Sequence, residues 1–181
     1  MRKIVAGLFL SLDGVTESPE NWNGPFFNDE MGQAVGASIA TKDTLLLGRR
    51  TFEAFAAYWP GKTAEDDPFA EFINNTPKVV VSKTLGDVEW QPTTVIRSLD
   101  DVAKLKQQPG NDIGMTGSVS LVRSLLQAGL LDELGLMIHP IALGNGKRLF
   151  DDVTSRLDLD LLHAETFKTG VISATYGPSQ G

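Results

Sequence analysis

The chain of 181 residues contains no cysteine and only two histidines. Disulfide bridges, thiolate nucleophiles and thiolate metal centres are therefore excluded, and His139 and His163 stand too far apart to suggest a metal site. Positive charge is scarce as well: 16 Lys and Arg stand against 23 Asp and Glu, a formal net charge of −7. A general nucleic-acid binder would carry a basic face, so any basic cluster here should serve a small anion. No apolar run reaches the length of a membrane-spanning helix, and no membrane association is expected. The opening "MRKIVAGLFLSLDGV" mimics a signal peptide, but Asp13 follows the apolar run closely and no small-x-small cleavage site appears, so it reads as a first strand. With no cysteine to protect or oxidise, a cytoplasmic protein is expected.

What is present suits one domain over residues 1–181, at 41% hydrophobic and 22% charged residues. No internal repeat, low-complexity tract or linker interrupts it. Apolar strands are expected at 3–10, 43–48, 78–82, 93–97, 112–116 and 133–143, the last broken by Pro140. Helices are expected at 28–41 with Asn28 as N-cap, 50–59, 67–75, 98–110 with Ser98 as cap, and 117–130. Segments 157–167 and 170–177 read as a terminal antiparallel pair, because "LDLDL" alternates as a half-exposed strand should. Buried strands alternating with helices imply a three-layer α/β domain: a mixed, mostly parallel central sheet flanked by helices, closed by the C-terminal antiparallel pair.

Three strand ends share a chemistry. They are Gly48-Arg49-Arg50-Thr51, Ser82-Lys83-Thr84, and Thr116-Gly117-Ser118-Val119-Ser120. Each sets small or hydroxyl residues where backbone must approach a ligand. The first and third lead into helices, whose free N–H groups carry partial positive charge. The first two add Arg or Lys, and Arg97 at another strand end offers a fourth cation. Several such junctions in an acidic chain point to a ligand with more than one phosphate. NADPH fits, with its pyrophosphate on helix N-termini and its 2′-phosphate on Arg or Lys. The G-x-G-x-x-G fingerprint is missing; "GNG" at 144–146 precedes Lys147-Arg148 instead. A standard Rossmann domain is therefore disfavoured.

In "SLDG" (11–14), "LLLGRRTFE" (45–53), "KVVVSKTL" (78–85) and "GSVSLVRSLLQAGLLDELGLMIHPIALGNGKRLF" (117–150), the chain resembles the dihydrofolate-reductase-like superfamily. The branch it resembles most is the C-terminal reductase domain of the bifunctional riboflavin-biosynthesis deaminase/reductase. The resemblance implies the fold just described and NADPH as cofactor. Carried over, Gly48, Arg49 and Thr51, with Arg50 beside them, would hold phosphate. Ser82 and Lys83 would face the 2′-phosphate and adenosine. Thr116, Gly117, Ser118 and Val119 would line the pyrophosphate, three of them through backbone N–H groups. Ala6 would lie by the nicotinamide carboxamide, and "SLDG" would close over nicotinamide and substrate. The chain departs from folate reductases at "WNGPFF" (22–27), where Phe27 takes the place of the pterin-binding acid and Asp29 lies two residues on. No deaminase signature is present. Thr116 stands where many relatives have Gly, so a cis Gly-Gly peptide is not expected.

Asp13, in the closing loop, is the candidate proton donor, although Asp-Gly is also a turn pair. Asp29 and Glu30 read as first-turn helix acids, and His139 as a structural residue in an apolar strand. Trp22 and Trp59 flank the expected pocket loops, and Lys147 or Arg148 could attract an anion. The expected function is NADPH-dependent hydride transfer to a small heterocyclic or carbonyl substrate. A genuine dihydrofolate reductase and a non-catalytic NADP(H)-binding protein stay open as alternatives. The terminal strand pair offers an apolar edge suited to a homodimer.

Overall fold

In the computed structural model, which describes residues 1–179, eight strands form one sheet in the order β4-β3-β2-β5-β1-β6-β8-β7. The strands are β1 (Ile4–Ser11), β2 (Lys42–Gly48), β3 (Lys78–Val81), β4 (Thr93–Ile96), β5 (Asp112–Thr116), β6 (Glu133–His139), β7 (Leu159–Thr166) and β8 (Ile172–Pro178). The first six run parallel, and β8 and β7 complete the sheet antiparallel. The helices are α1 (Asp29–Ala40), α2 (Arg49–Tyr58), α3 (Ala70–Asn75), α4 (Leu99–Gln107) and α5 (Val119–Gln127).

Local chemistry sets the helix boundaries. The Asn28 side chain accepts from Met31 N–H at 3.0 Å, and Asp29 and Glu30 sit in the first turn of α1. Ser98 caps α4 in the same way, with acids in its first turn and lysines in its last. Two expectations need correction at this level. The helix expected from residue 67 begins only at Ala70, because the Asp67 carboxylate takes Phe69 N–H and shapes a turn first. The strand expected over 133–143 stops at His139, because Pro140 has no N–H to continue a ladder.

Alternation along the strands packs both faces. Ile4, Ala6, Leu8 and Leu10 of β1, with Leu46 of β2, pack on Val102 of α4 and on Val122, Leu125 and Leu126 of α5. Leu45, Leu47 and Val80 on the opposite face meet Phe52 of α2 and Phe72 of α3. Met31 of α1 joins Phe9, Phe167 and Val171 on that second face. The result is the three-layer arrangement of an α/β fold with a mixed sheet.

The ladders of β1 have a definite parity. Ile113 N–H of β5 donates to Lys3 O, and Asp132 N–H donates to Ile4 O beside β6. Odd-numbered β1 residues therefore turn their backbone polar groups toward β5, and even-numbered residues toward β6. Pairing with β5 ends at Gly7↔Thr116, whereas pairing with β6 continues to Ser11↔His139. Beyond Thr116 the N–H and C=O of Phe9 face the space where β5 has stopped. At the far edge, β7 is exposed along almost its whole length, including Leu161 and Leu162.

Lys78 at the start of β3 is only 1% exposed. Its Nζ donates to the carbonyls of Asn74 and Thr76 at 2.9 and 2.8 Å, and lies 4.3 Å above the Trp90 ring. It thereby caps the end of α3. Burial pushes its pKa down from 10.5 to about 8. Between those values the unfolded chain holds the proton and the folded chain does not, so stability climbs with pH across that window. Denaturant titrations of the wild type and Lys78→Met at several pH values should show the wild type gaining about 3 kcal/mol relative to the variant from pH 8 to 10.5. Parallel profiles would contradict this reading of Lys78.

Candidate functional site

Two of the three expected junctions meet directly. Strands β2 and β5 are neighbours, but α2 leaves β2 toward one face and α5 leaves β5 toward the other. This divergence is a topological switch point, the place where α/β sheets bind ligands. Gly48, the N-cap of α2, donates its N–H to Ser118 Oγ at 2.9 Å. Ser118, the N-cap of α5, donates its N–H to Thr51 Oγ1 at 2.9 Å. The exchange holds two helix N-termini side by side, with the unpaired N–H groups of their first turns directed outward.

Backbone conformation makes that approach possible. Gly117 and Ser118 are both left-handed, at φ 61° and 50°. A Cβ on Gly117 would lie 3.1 Å from Thr51 Cγ2 and 3.2 Å from its Oγ1, so strain and crowding both demand glycine. The Thr116–Gly117 peptide is trans; the cis bond found among the described residues is Gln91–Pro92.

The third junction joins through Arg49, whose NH1 donates to Thr84 Oγ1 at 2.9 Å while Nε pairs with Glu53 at 2.7 Å. Arg50 and Lys83 are exposed, with no side-chain hydrogen bond among the described residues. Ser82 is oriented otherwise than expected: it is buried, and its Oγ accepts from the N–H groups of Thr84 and Leu85. Its hydroxyl shapes the turn that presents Lys83. Arg97 is similarly engaged, donating through NH1 to the carbonyls of Ser82 and Leu85, both at 2.8 Å.

Ala6 does not suit the role expected of it. Its side chain is fully buried against the α4 and α5 layer, and its backbone groups lie on the β6 side in the middle of a ladder. The β1 residue with backbone groups directed past the end of β5 is Phe9, three positions on. Ladder parity reveals it, whereas the resemblance in sequence does not.

Asp13 is a structural tie. Ser11 Oγ donates to its carboxylate at 2.7 Å, and the N–H groups of Leu143 and Gly144 donate at 3.0 and 2.8 Å. The Ser11 hydroxyl, followed by those two amides, holds the carboxyl far below the usual carboxylate range. Arg148 adds a contact at 3.6 Å and donates to the Asp13 carbonyl. Together with the Val15↔Arg148 bridge, these bonds zip the loop after β1 to the 141–149 loop. A carboxylate so well supplied with donors holds no proton to give near neutral pH. Glu30 is likewise held ionised, chiefly by Lys168 N–H at 2.8 Å, and ties α1 to the β7–β8 turn.

Trp59 lies at the C-terminal end of α2, far from the carboxyl ends of the strands, with its carbonyl accepting from Asn74. Trp22, in the loop after β1, is buried over His139. Beside Asp13, an open cavity of about 300 Å³ is lined by Leu10, Gly14, Arg148 and Phe150.

The fold agrees with comparison to known proteins. The profile of the RibD C-terminal domain matches residues 2–173, and the chain belongs to that family. The uncharacterized protein YyaP of Bacillus subtilis is 34% identical over 183 residues, covering 97% of this chain and 94% of its own. A Shewanella sp. PV-4 protein provisionally assigned to riboflavin biosynthesis superposes with TM-score 0.77 at 22% identity, covering 99% of this chain and 100% of its own. A dihydrofolate reductase from Enterococcus faecalis, complexed with NADP(H) and RAB-propyl, superposes with TM-score 0.67 at 14% identity over 98% and 97% of the two chains. These structural likenesses establish a dihydrofolate-reductase-like fold.

Proposed function

We propose that this chain is an NADPH-dependent reductase that transfers hydride to a small heterocyclic or carbonyl substrate, in the manner of riboflavin-pathway reductases. The observation that carries the reading is the exchange of hydrogen bonds among Gly48, Thr51 and Ser118, which sets the N-termini of α2 and α5 together. Two helix N-termini and a glycine cradle that excludes a Cβ fit a pyrophosphate. Arg50 and Lys83, with Arg49 braced between them by Glu53 and Thr84, fit the 2′-phosphate. The Phe9 N–H and C=O, turned past the end of β5, fit a carboxamide that both donates and accepts.

When bound, NADPH would supply the hydride. The chain's own contribution is to bind and orient it, and to exclude water beneath the zipped loops after β1 and β6. Asp13 serves that closure as a fixed anion, and the proton that accompanies reduction comes from water or substrate. A genuine dihydrofolate reductase fits less well, because the position of the pterin-binding acid holds Phe27, 42% exposed. The ionised state of Asp13 favours the non-catalytic NADP(H)-binding protein as the second reading, separated from the first by whether bound NADPH is oxidised across a substrate panel. In either reading a second copy of the chain would pair along β7, the open sheet edge bearing Leu161 and Leu162 at 57% and 55% exposure. Light scattering should then give twice the chain mass, and Leu162→Lys should return the monomer; a wild-type monomer at micromolar concentration contradicts the pairing.

Calorimetry with NADPH and NADH tests the cofactor directly. NADPH should bind at least tenfold more tightly than NADH, and Arg50→Glu with Lys83→Glu should abolish that preference. Gly117→Ala should instead weaken both cofactors alike. Equal affinities in the wild type would overturn the 2′-phosphate assignment.

A further inference from the structure

We propose that His139 is a substrate-binding residue, a bare hydrogen-bond acceptor for a ring N–H, covered in this structure by residues 18–27. The proposal rests on the reductase reading only in calling the ligand a substrate.

The geometry assigns the tautomer. His139 ends β6 in register with Ser11 and is fully buried. Its Nδ1 lies 2.8 Å from Met137 O and 3.2 Å from Leu10 O. Carbonyl oxygens only accept, so Nδ1 carries the hydrogen and Nε2 presents a lone pair. That Nε2 is buried and has no hydrogen-bond partner among the described residues. Around it stand three rings, all edge-on: Trp22 at 5.1 Å, Phe26 at 5.6 Å and Phe9 at 5.9 Å between centroids. Burial holds the imidazole neutral by pushing its pKa below the ordinary value. A buried acceptor without a donor is costly, and the Nδ1 hydrogen bonds to Met137 and Leu10 do not relieve that cost at Nε2.

The cover is built to leave. Residues 18–27 contain two short 3₁₀ turns, Pro19–Asn21 and Gly24–Phe26. Their backbone hydrogen bonds close within the segment, and Trp22 Nε1 donates to the carbonyl of the adjoining Glu17. Both flanks are tied, by Thr16 N–H to Lys147 O on one side and by the Asn28 cap of α1 on the other. The segment itself rests on the protein through Trp22 and Phe26, laid over the imidazole. Lifting those two rings breaks one hydrogen bond among the described residues, from Trp22 Nε1 to Glu17 O, and uncovers one acceptor in an apolar, aromatic setting. Phe9 walls that space, and its backbone marks the proposed carboxamide position, so the acceptor and the proposed cofactor site would share this residue. The ligand such a site takes is a planar heterocycle that offers an N–H, in preference to one that offers only carbonyl edges.

Uracil and 1,3-dimethyluracil, which lacks ring N–H groups, are probes that separate these cases. With the two histidines labelled with ¹⁵N, the His139 Nε2 resonance should start at the position of an unprotonated nitrogen without a partner. Uracil should shift it, with and without NADP⁺, while dimethyluracil and the exposed His163 report no change. By calorimetry, His139→Phe should bind uracil about tenfold more weakly, and His139→Gln, which keeps an acceptor, should recover most of that loss. The wild-type resonance decides the matter even if His139→Phe folds poorly. A resonance that stays in place under uracil, or one that dimethyluracil moves equally, overturns the proposal. Movement under uracil in a protein that fails to bind NADPH would leave the acceptor standing and remove the cofactor reading.

Discussion

Ser118 both gives and takes a hydrogen bond across the gap between β5 and β2, and the rest of the site depends on that exchange. Its N–H reaches Thr51 and its hydroxyl receives Gly48. Without it, two helices leaving a sheet toward opposite faces would diverge from their first residue. With it, their N-termini form one positive surface in a chain of net charge −7. The exchange requires Gly117 and Ser118 to adopt left-handed backbone in succession, which for the serine costs about 1–2 kcal/mol. Strain of this sort persists where surrounding bonds over-determine it, and here two hydrogen bonds do so.

From this point the local chemistry extends outward in two directions. Toward β3, Arg49 spans to Thr84, and Arg97 and Ser82 are spent on holding the turn that exposes Lys83. Toward β1, the early end of β5 leaves Phe9 backbone groups facing open space, and the loops beyond are zipped by Asp13. The residues that look most chemical in this arrangement, Asp13, Ser82 and Arg97, work as braces. Those left free to meet a ligand are backbone amides, Arg50 and Lys83, as the proposed binding of a cofactor able to perform the chemistry itself requires.

The fold was largely legible in the sequence. Uninterrupted runs such as "KVVV" and "LLL" marked buried strands, "LDLDL" marked the exposed edge, and Asn28 and Ser98 announced their helices. The three junctions were legible because glycine, hydroxyl and cationic residues recur at strand ends. Individual roles were less so. Ser82 and Arg97 have the right chemistry, but their orientation depends on a turn whose hydrogen bonds span residues 82–97. Ala6 is what the family resemblance implies, whereas position along a ladder decides which backbone groups are free, and that depends on where β5 ends. Asp13 reads as a proton donor in its local sequence, but the amides of Leu143 and Gly144 that surround it come from 130 and 131 residues on. His139 in an apolar run carries no signal for its bare nitrogen, which arises only when Leu10 and Met137 carbonyls converge on the other one.

The central claim is that the paired N-termini of α2 and α5 are the anion site. Backbone amide shifts followed during titration with NADP⁺ test it most directly. The account predicts that the largest changes fall on Arg49–Thr51 and Gly117–Leu121, with Phe9 moving in the same titration. Largest changes in the open groove between Phe150 and Leu159, with the two helix N-termini silent, would contradict it.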